Sequence, residues 1–131
     1  MQSVIIGRDG RIHSTAIFEN IAKAITDLGF DVIDIGTVPS PATYYAVKHF
    51  NNTAAIMITA SHNPKEYNGI KIWGAWGKQI QEIRHIAQSK SFYVNNGQLR
   101  GIITQFNILE KYIQYLETHF EHRKWSKTVK K

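Results

Sequence analysis

Two rhythms of apolar and polar positions divide this chain. Val4-Ile5-Ile6 and Ala54-Ala55-Ile56-Met57-Ile58 are short continuous apolar runs, the pattern of strands buried on both faces. Asp31-Val32-Ile33-Asp34-Ile35 reads as a further strand between them. Ile17, Ile21, Ile25 and Leu28 recur at helical spacing, with Ser14 placed to cap the start of that helix and Gly29 to close it. A second helix is predicted from Ser40-Pro41 to Phe50, with Ala42, Tyr45, Ala46 and Phe50 on its apolar face and Asn51-Asn52 ending it. In Ile70-Lys71-Ile72-Trp73 the two isoleucines share one face of a strand and Lys71 points from the other.

Beyond Trp73, Gly74-Ala75-Trp76-Gly77 is a predicted turn, and Ile80, Ile83, Arg84 and Ala87 a helix of about three turns. Gln88 to Thr104 is polar and mixed and reads as a connector, with Asn95-Asn96-Gly97 its clearest turn. A last helix, placed at 105–122, opens at Asn107 with Glu110 as capping-box partner, and Phe106, Leu109, Ile113, Leu116 and Phe120 form its stripe. The order strand, helix, strand, helix, strand, loop, strand predicts a single three-layer α/β domain. Its sheet is mixed but largely parallel and flanked by helices, with the Lys71 strand antiparallel to the one before Ser61. That pairing brings Ser61 and Lys71 to the same end of the sheet, where open α/β sheets place their ligands.

Composition narrows the setting. At 131 residues, 43% hydrophobic and 20% charged, one domain with a core of its own is expected. The absence of cysteine excludes disulfides and thiolate metal sites and is compatible with a cytoplasmic location. The apolar run after Met1 is too short for a signal peptide, and no stretch approaches a membrane span, so no membrane partner is expected. The net charge of +6 is concentrated in a basic tail, 123–131, which carries Arg123, Lys124, Lys127, Lys130 and Lys131. Such a tail is ordinarily solvated, and nucleic acid is not an expected partner. His13, His49, His62, His85, His119 and His122 are scattered without metal-ligand spacing.

The candidate chemistry lies in Thr59-Ala60-Ser61-His62-Asn63-Pro64-Lys65-Glu66-Tyr67-Asn68-Gly69. Donors crowd one hydroxyl, and Pro64 pushes Asn63 towards extended geometry, an arrangement that can turn several N–H groups on one anion. A Ser-His hydrolase is disfavoured, because the Gly-x-Ser-x-Gly elbow is absent and triads are spatial rather than sequential. By residue type alone an ordinary polar loop is the favoured reading.

As a string, however, Thr-Ala-Ser-His-Asn-Pro followed by Tyr-Asn-Gly-Ile-Lys resembles the phosphoserine loop of the α-D-phosphohexomutases, the phosphomannomutase and phosphoglucomutase family. Gly7-Arg8-Asp9-Gly10-Arg11 and Asp34-Ile35-Gly36-Thr37-Val38-Pro39-Ser40-Pro41 extend the likeness. The resemblance implies that residues 1–131 are part of that family's first domain. It implies that Ser61 carries a phosphoryl group exchanged between the 1- and 6-positions of a hexose phosphate. Ser61, Lys71 and His62 are then catalytic, Lys71 as general acid or base, and Arg8, Ser61, His62, Asn63 and Lys71 bind phosphate or substrate.

The implied cofactors are Mg2+, held through the Ser61 phosphate together with aspartates of a further domain, and a hexose 1,6-bisphosphate activator. The family's metal, sugar and distal phosphate loops, and a strand and helix before Val4, have no counterpart in this sequence. The chain by itself is therefore expected to be inactive, with the remaining mutase domains or another chain as partners and an uncovered sheet surface that invites self-association. The alternative is a non-catalytic domain of the same fold that binds a partner or an anion through the loop.

Overall fold

The apolar runs become strands and the periodic stretches helices, in the order β1 (Ser3–Arg8), α1 (Ser14–Asp27), β2 (Asp31–Thr37), α2 (Ser40–His49), β3 (Ala55–Ile58), β4 (Ile70–Trp73), α3 (Lys78–Ser89), β5 (Ile103–Gln105) and α4 (Ile108–Glu121). The structure is a computed structural model that describes residues 3–51, 54–74, 78–97 and 99–121. The expected turn at 75–77, Asn52, His122 and the basic tail lie outside the described residues.

The five strands form one sheet of order β4-β3-β1-β2-β5. β1 pairs in parallel with β2 and β3, β5 in parallel with β2, and β4 antiparallel with β3, as the order of elements predicts for the first four strands. Strand alternation sends Ile5, Ile35, Ala55 and Met57 to the face covered by α2 and α4, and Ile6, Val32 and Ile58 to the face covered by α1. The layers are therefore helix, sheet, helix. Ile5, Ile6, Ile58 and Ile108 are fully buried, and each contributes about 1.5–3 kcal/mol of apolar burial. Ala42 and Ala46 let α2 lie close to the sheet, and at Gly7 a Cβ would come 3.0 Å from both Thr43 Oγ1 and Val38 Cγ2.

Local signals held where the backbone alone decides. Gly29 adopts φ +87°, with Gly29 N–H donating to Thr26 O and Phe30 N–H to Ile25 O, the paired closure of a Schellman motif. Asn107 caps α4 by accepting from Leu109 N–H at 3.2 Å. Ser14 is not a cap: α1 begins at Ser14, its N-cap is His13, and the serine is buried because its hydroxyl serves Asp9. Ser40 is likewise inside α2, whose N-cap is Pro39, with Pro41 in the first turn as expected.

Burial also rotates the expected helix faces by about one residue. α1 buries Ser14, Phe18, Ala22 and Thr26, leaving Ile17, Ile21 and Ile25 half-buried beside them. α4 starts at Ile108 rather than at 105 and buries that residue, with Leu109, Tyr112, Tyr115 and Leu116 half-buried while Ile113 and Phe120 are exposed. Tyr45 of α2 meets Tyr112 and Tyr115, so the α2–α4 contact selects the aromatic side. The expected connector, Gln88 to Thr104, runs into β5, whose three residues are exposed and carry no alternation to read. It exists through pairing: Val32 N–H donates to Ile102 O at 2.8 Å and Phe106 N–H to Asp34 O at 2.9 Å. α3 forms where predicted, with Ile80, Ile83 and Ile86 exposed.

The connector is tied to the end of α1 by Gly101, whose N–H donates to Thr26 O at 2.9 Å and whose Cα faces the Phe30 carbonyl so closely that a Cβ would overlap that oxygen. Gly101→Ala is expected to destabilise the fold by roughly 1–3 kcal/mol, whereas Gly10→Ala, with open space around it, is expected to change stability by less than about 0.5 kcal/mol. Urea melts of the two variants check this, and equal midpoints would remove the role given to Gly101.

Candidate functional site

In strand order β3-β1-β2 the chain leaves β1 for one neighbour and later returns on its other side, so a crevice opens between the carboxyl ends of β1 and β3. The loops that follow these strands meet there, with Asp9 N–H donating to Ile58 O at 3.0 Å. Asp9, Gly10, Arg11 and Ile12 of the first loop and Asn63 and Lys65 of the second line a cleft of about 480 Å3.

Arg11 joins the two loops. Its Nη1 donates to Pro64 O at 2.6 Å and Tyr67 O at 3.1 Å, its Nη2 to Ser61 O at 3.1 Å and Asn63 O at 2.9 Å. Its Nε donates to Asp9 Oδ2 at 2.9 Å. Asp9 Oδ1 accepts from Ser14 Oγ at 2.6 Å and Arg11 N–H at 3.1 Å. Ser14 Oγ in turn accepts from Asn68 Nδ2 at 2.9 Å, which reaches the far end of the Ser61 loop. Burial raises the Asp9 pKa, but hydrogen bonds from Ser14, Thr59 and Arg11 outweigh it and hold the carboxyl below its ordinary value.

Ser61 is exposed and sits at φ +57°, the left-handed region that disfavours a residue with a Cβ by about 1–3 kcal/mol. Among the described non-glycine residues Asn51 and Lys90 share a positive φ, but each follows a helix, where that conformation is an ordinary ending. Ser61 follows a strand. What holds it there is the surrounding bonding: Ser61 N–H donates to Thr59 Oγ1 at 2.9 Å, Asn63 Nδ2 and N–H both donate to Ala60 O, and Arg11 takes the carbonyls. Thr59 N–H donates to Gly69 O at 2.9 Å, and a Cβ on Gly69 would lie 3.1 Å from Thr59 O, so glycine lets the two ends of the loop close.

The registers Met57↔Lys71 and Ile58↔Ile70 bring Lys71 to the same end of the sheet as Ser61, His62 and Asn63, all exposed. Lys71 shares the α2 face with Met57. Arg8 ends β1 but points to the opposite face. Its Nη1 pairs with Asp34 Oδ1 at 2.7 Å, and its guanidinium lies 4.3 Å from the Phe18 ring centre, with the two ion-paired side chains 16% and 5% exposed. Arg8 therefore ties β2 and α1 to β1, and its described contacts are to these elements rather than to the Ser61 loop. Asp34 also accepts from Gly36 N–H at 2.8 Å, holding the turn where Gly36 takes φ +77°. Sequence reasoning assigned no site role to Asp9, Arg11, Thr59 or Asn68, and gave Ser14 only that of a helix cap. The Gly7–Arg11 block was the available signal for two of them, but no local spacing says that Arg11 bonds residues more than fifty positions away.

Among the described residues no group of three or more His, Asp or Glu side chains is placed to hold a metal ion. The described residues therefore do not by themselves fit magnesium. No helix among them is long and apolar enough to cross a membrane.

Residues 1–93 match the family described as phosphoglucomutase/phosphomannomutase, alpha/beta/alpha domain I. The chain is 36% identical over 119 residues to a phosphomannomutase/phosphoglucomutase of Pseudomonas syringae, a match covering 88% of this chain and 25% of that protein. It is 34% identical over 130 residues to a phosphoglucosamine mutase of Alkaliphilus metalliredigens, covering 92% and 29%. A crystal structure of a phosphoglucomutase/phosphomannomutase family protein from Burkholderia thailandensis superposes with a TM-score of 0.73 at 29% identity, covering 86% of this chain and 26% of that one. The chain thus spans about a quarter of the length of the curated relatives it matches.

Because the folded-state pKa of Asp9 is depressed, the stability it contributes is fully present above its unfolded value and is lost as pH falls through the lowered one. Acid titration followed by amide NMR is expected to loosen the Ser61 loop across that interval, below ordinary carboxylate titration. Asp9→Asn should remove this pH response. A loop equally sensitive to acid in that variant would assign the response to another group.

Proposed function

The chain belongs to the phosphoglucomutase/phosphomannomutase family through its alpha/beta/alpha domain I, and from that premise we propose that Ser61 is the phosphoryl carrier of a hexose-phosphate mutase. The observation that carries the proposal is the exposed serine held in a left-handed conformation at the crevice between β1 and β3, by bonds that spare its hydroxyl. A strained residue over-determined by its surroundings is the arrangement that presents a reacting group in one geometry.

In the reaction the Ser61 hydroxyl oxygen forms a bond to phosphorus as the bond from phosphorus to a sugar oxygen of a hexose 1,6-bisphosphate breaks. The serine proton passes to that departing sugar oxygen. The reverse step returns the phosphoryl group to the other sugar position. Lys71, at the same end of the sheet, is the proton carrier between Ser61 and the sugar and supplies positive charge at the phosphoryl oxygens. His62 and Asn63 shape the loop beside the phosphate, and Arg8 supports the wall through Asp34 and Phe18. Of the magnesium ligands the family resemblance implies, the phosphate on Ser61 is the one this part of the chain supplies, and no step here is routed through the metal.

The proposed partners are the hexose phosphate and further protein surface, either the remaining mutase domains, another chain or a second copy. Ile80, Ile83 and Ile86 with Phe92, Tyr93 and Val94 support this as exposed apolar side chains. The proposed location is the cytoplasm, where hexose phosphates are available to a cysteine-free chain.

The 131-residue chain is expected to show no interconversion of hexose 1- and 6-phosphates on its own, since it spans about a quarter of its relatives. Activity is tested in a chimera in which it replaces the matched segment of the Pseudomonas syringae protein. After incubation with glucose 1,6-bisphosphate, phosphopeptide mass spectrometry should locate the phosphoryl group on Ser61. Ser61→Ala should abolish it, and Lys71→Ala should slow incorporation by about 10²–10⁴-fold. A phosphoryl group on any other residue would overturn the assignment.

A further inference from the structure

We propose that Arg11 is the positioning residue for Ser61, acting from behind the loop by orienting its peptide groups rather than by touching the phosphoryl group. The proposal deepens the mutase reading and rests on Ser61 being the phosphoryl carrier. An arginine side chain has five N–H donors. All five are used within the protein, on Asp9 Oδ2 and on the carbonyl oxygens of Ser61, Asn63, Pro64 and Tyr67. None remains for a ligand, and the Asp9 carboxylate offsets the guanidinium charge. The contribution of Arg11 to the site is therefore directional.

The direction follows from peptide geometry. In a planar trans peptide the carbonyl of one residue and the N–H of the next point in opposite senses, and the described chain has no cis peptide. Drawing the carbonyls of Ser61, Pro64 and Tyr67 onto Arg11 turns the N–H groups of His62, Lys65 and Asn68 away from it. The fourth carbonyl, that of Asn63, precedes Pro64, which has no N–H to present. The loop thus gains two sides, with oxygens facing a half-buried cation and N–H groups facing outward, where an anion meets donors. Lysine cannot substitute: three donors on a single nitrogen do not span four carbonyls and a carboxylate.

The test uses the 131-residue chain, with Arg11→Lys and Arg11→Ala, observed by ¹⁵N amide NMR and by the HN–Hα coupling of Ser61. In the unaltered chain inorganic phosphate should shift the amides of His62, Lys65 and Asn68, and the coupling should report a positive φ. Arg11→Lys should lose both signatures while the β1–β3 amides stay in place, and millimolar guanidinium should restore them to Arg11→Ala. In the chimera, Arg11→Lys should lower phosphoryl incorporation at Ser61 by about 10²-fold. An unchanged coupling and phosphate response in Arg11→Lys would overturn the proposal, as would loss of the whole fold, which would make Arg11 purely structural. If the unaltered chain ignores phosphate while Arg11→Lys still alters the Ser61 coupling, the mutase reading fails and the positioning role stands.

Discussion

Carbonyl oxygens do not converge without a positive partner, and the loop that carries Ser61 directs four of them at one guanidinium. Arg11 is held for this by Asp9, and Asp9 by Ser14, Thr59 and its own loop. The chain of contacts reaches from the first turn of α1 to Asn68, so the start of one helix and the return of a hairpin are parts of one network. A carboxylate drawn partly out of water costs free energy unless it is paired and hydrogen-bonded, and here the bonds that satisfy Asp9 also fix the loop. Ser61 keeps its unfavourable φ because releasing it would break several of these bonds together.

The sheet gives this network a firm base and leaves its surroundings less constrained. β1 is central, paired on both sides, with Ile5 fully buried on one face and Ile6 on the other. β4, which carries Lys71, is an edge strand with Ile70 half-exposed, and α3, which follows it in the chain, has its isoleucines exposed. Few buried apolar contacts mean low local stability. The serine side of the crevice is thus anchored to the strongest part of the fold and the lysine side to its margin, a division that suits the roles proposed for the two residues.

Arg8 and Arg11 show how similar residues in one short motif are put to different uses. Arg8 is on the strand, so alternation commits it to the α1 face, where Asp34 and Phe18 receive it. Arg11 lies past the strand end, free of that alternation, and reaches the neighbouring loop. The Arg11 guanidinium is bonded throughout within the protein, and that of Arg8 is paired with Asp34 and packed on Phe18. The positive charge exposed at this end of the sheet comes from Lys71 and Lys65 instead.

What the amino-acid order determined by itself was local or periodic. It placed the strands at Val4, Val32, Ile56 and Ile72, closed α1 at Gly29, capped α4 at Asn107 and set the parallel and antiparallel senses that bring Ser61 and Lys71 to one end. Each rests on backbone preferences or side-chain period within a few residues, which any folded context must respect. The tertiary structure decided which of two adjacent stripes of α1 and α4 is buried, because neighbouring stripes differ by one residue and only the approach of the sheet or of α2 chooses between them. It made a strand of Ile103–Gln105, since a short exposed edge has no pattern of its own and exists through its bonds to β2. And it gave Arg11 its five partners, four of them fifty or more positions away, because a hydrogen bond depends on distance in space, which no spacing along the chain records.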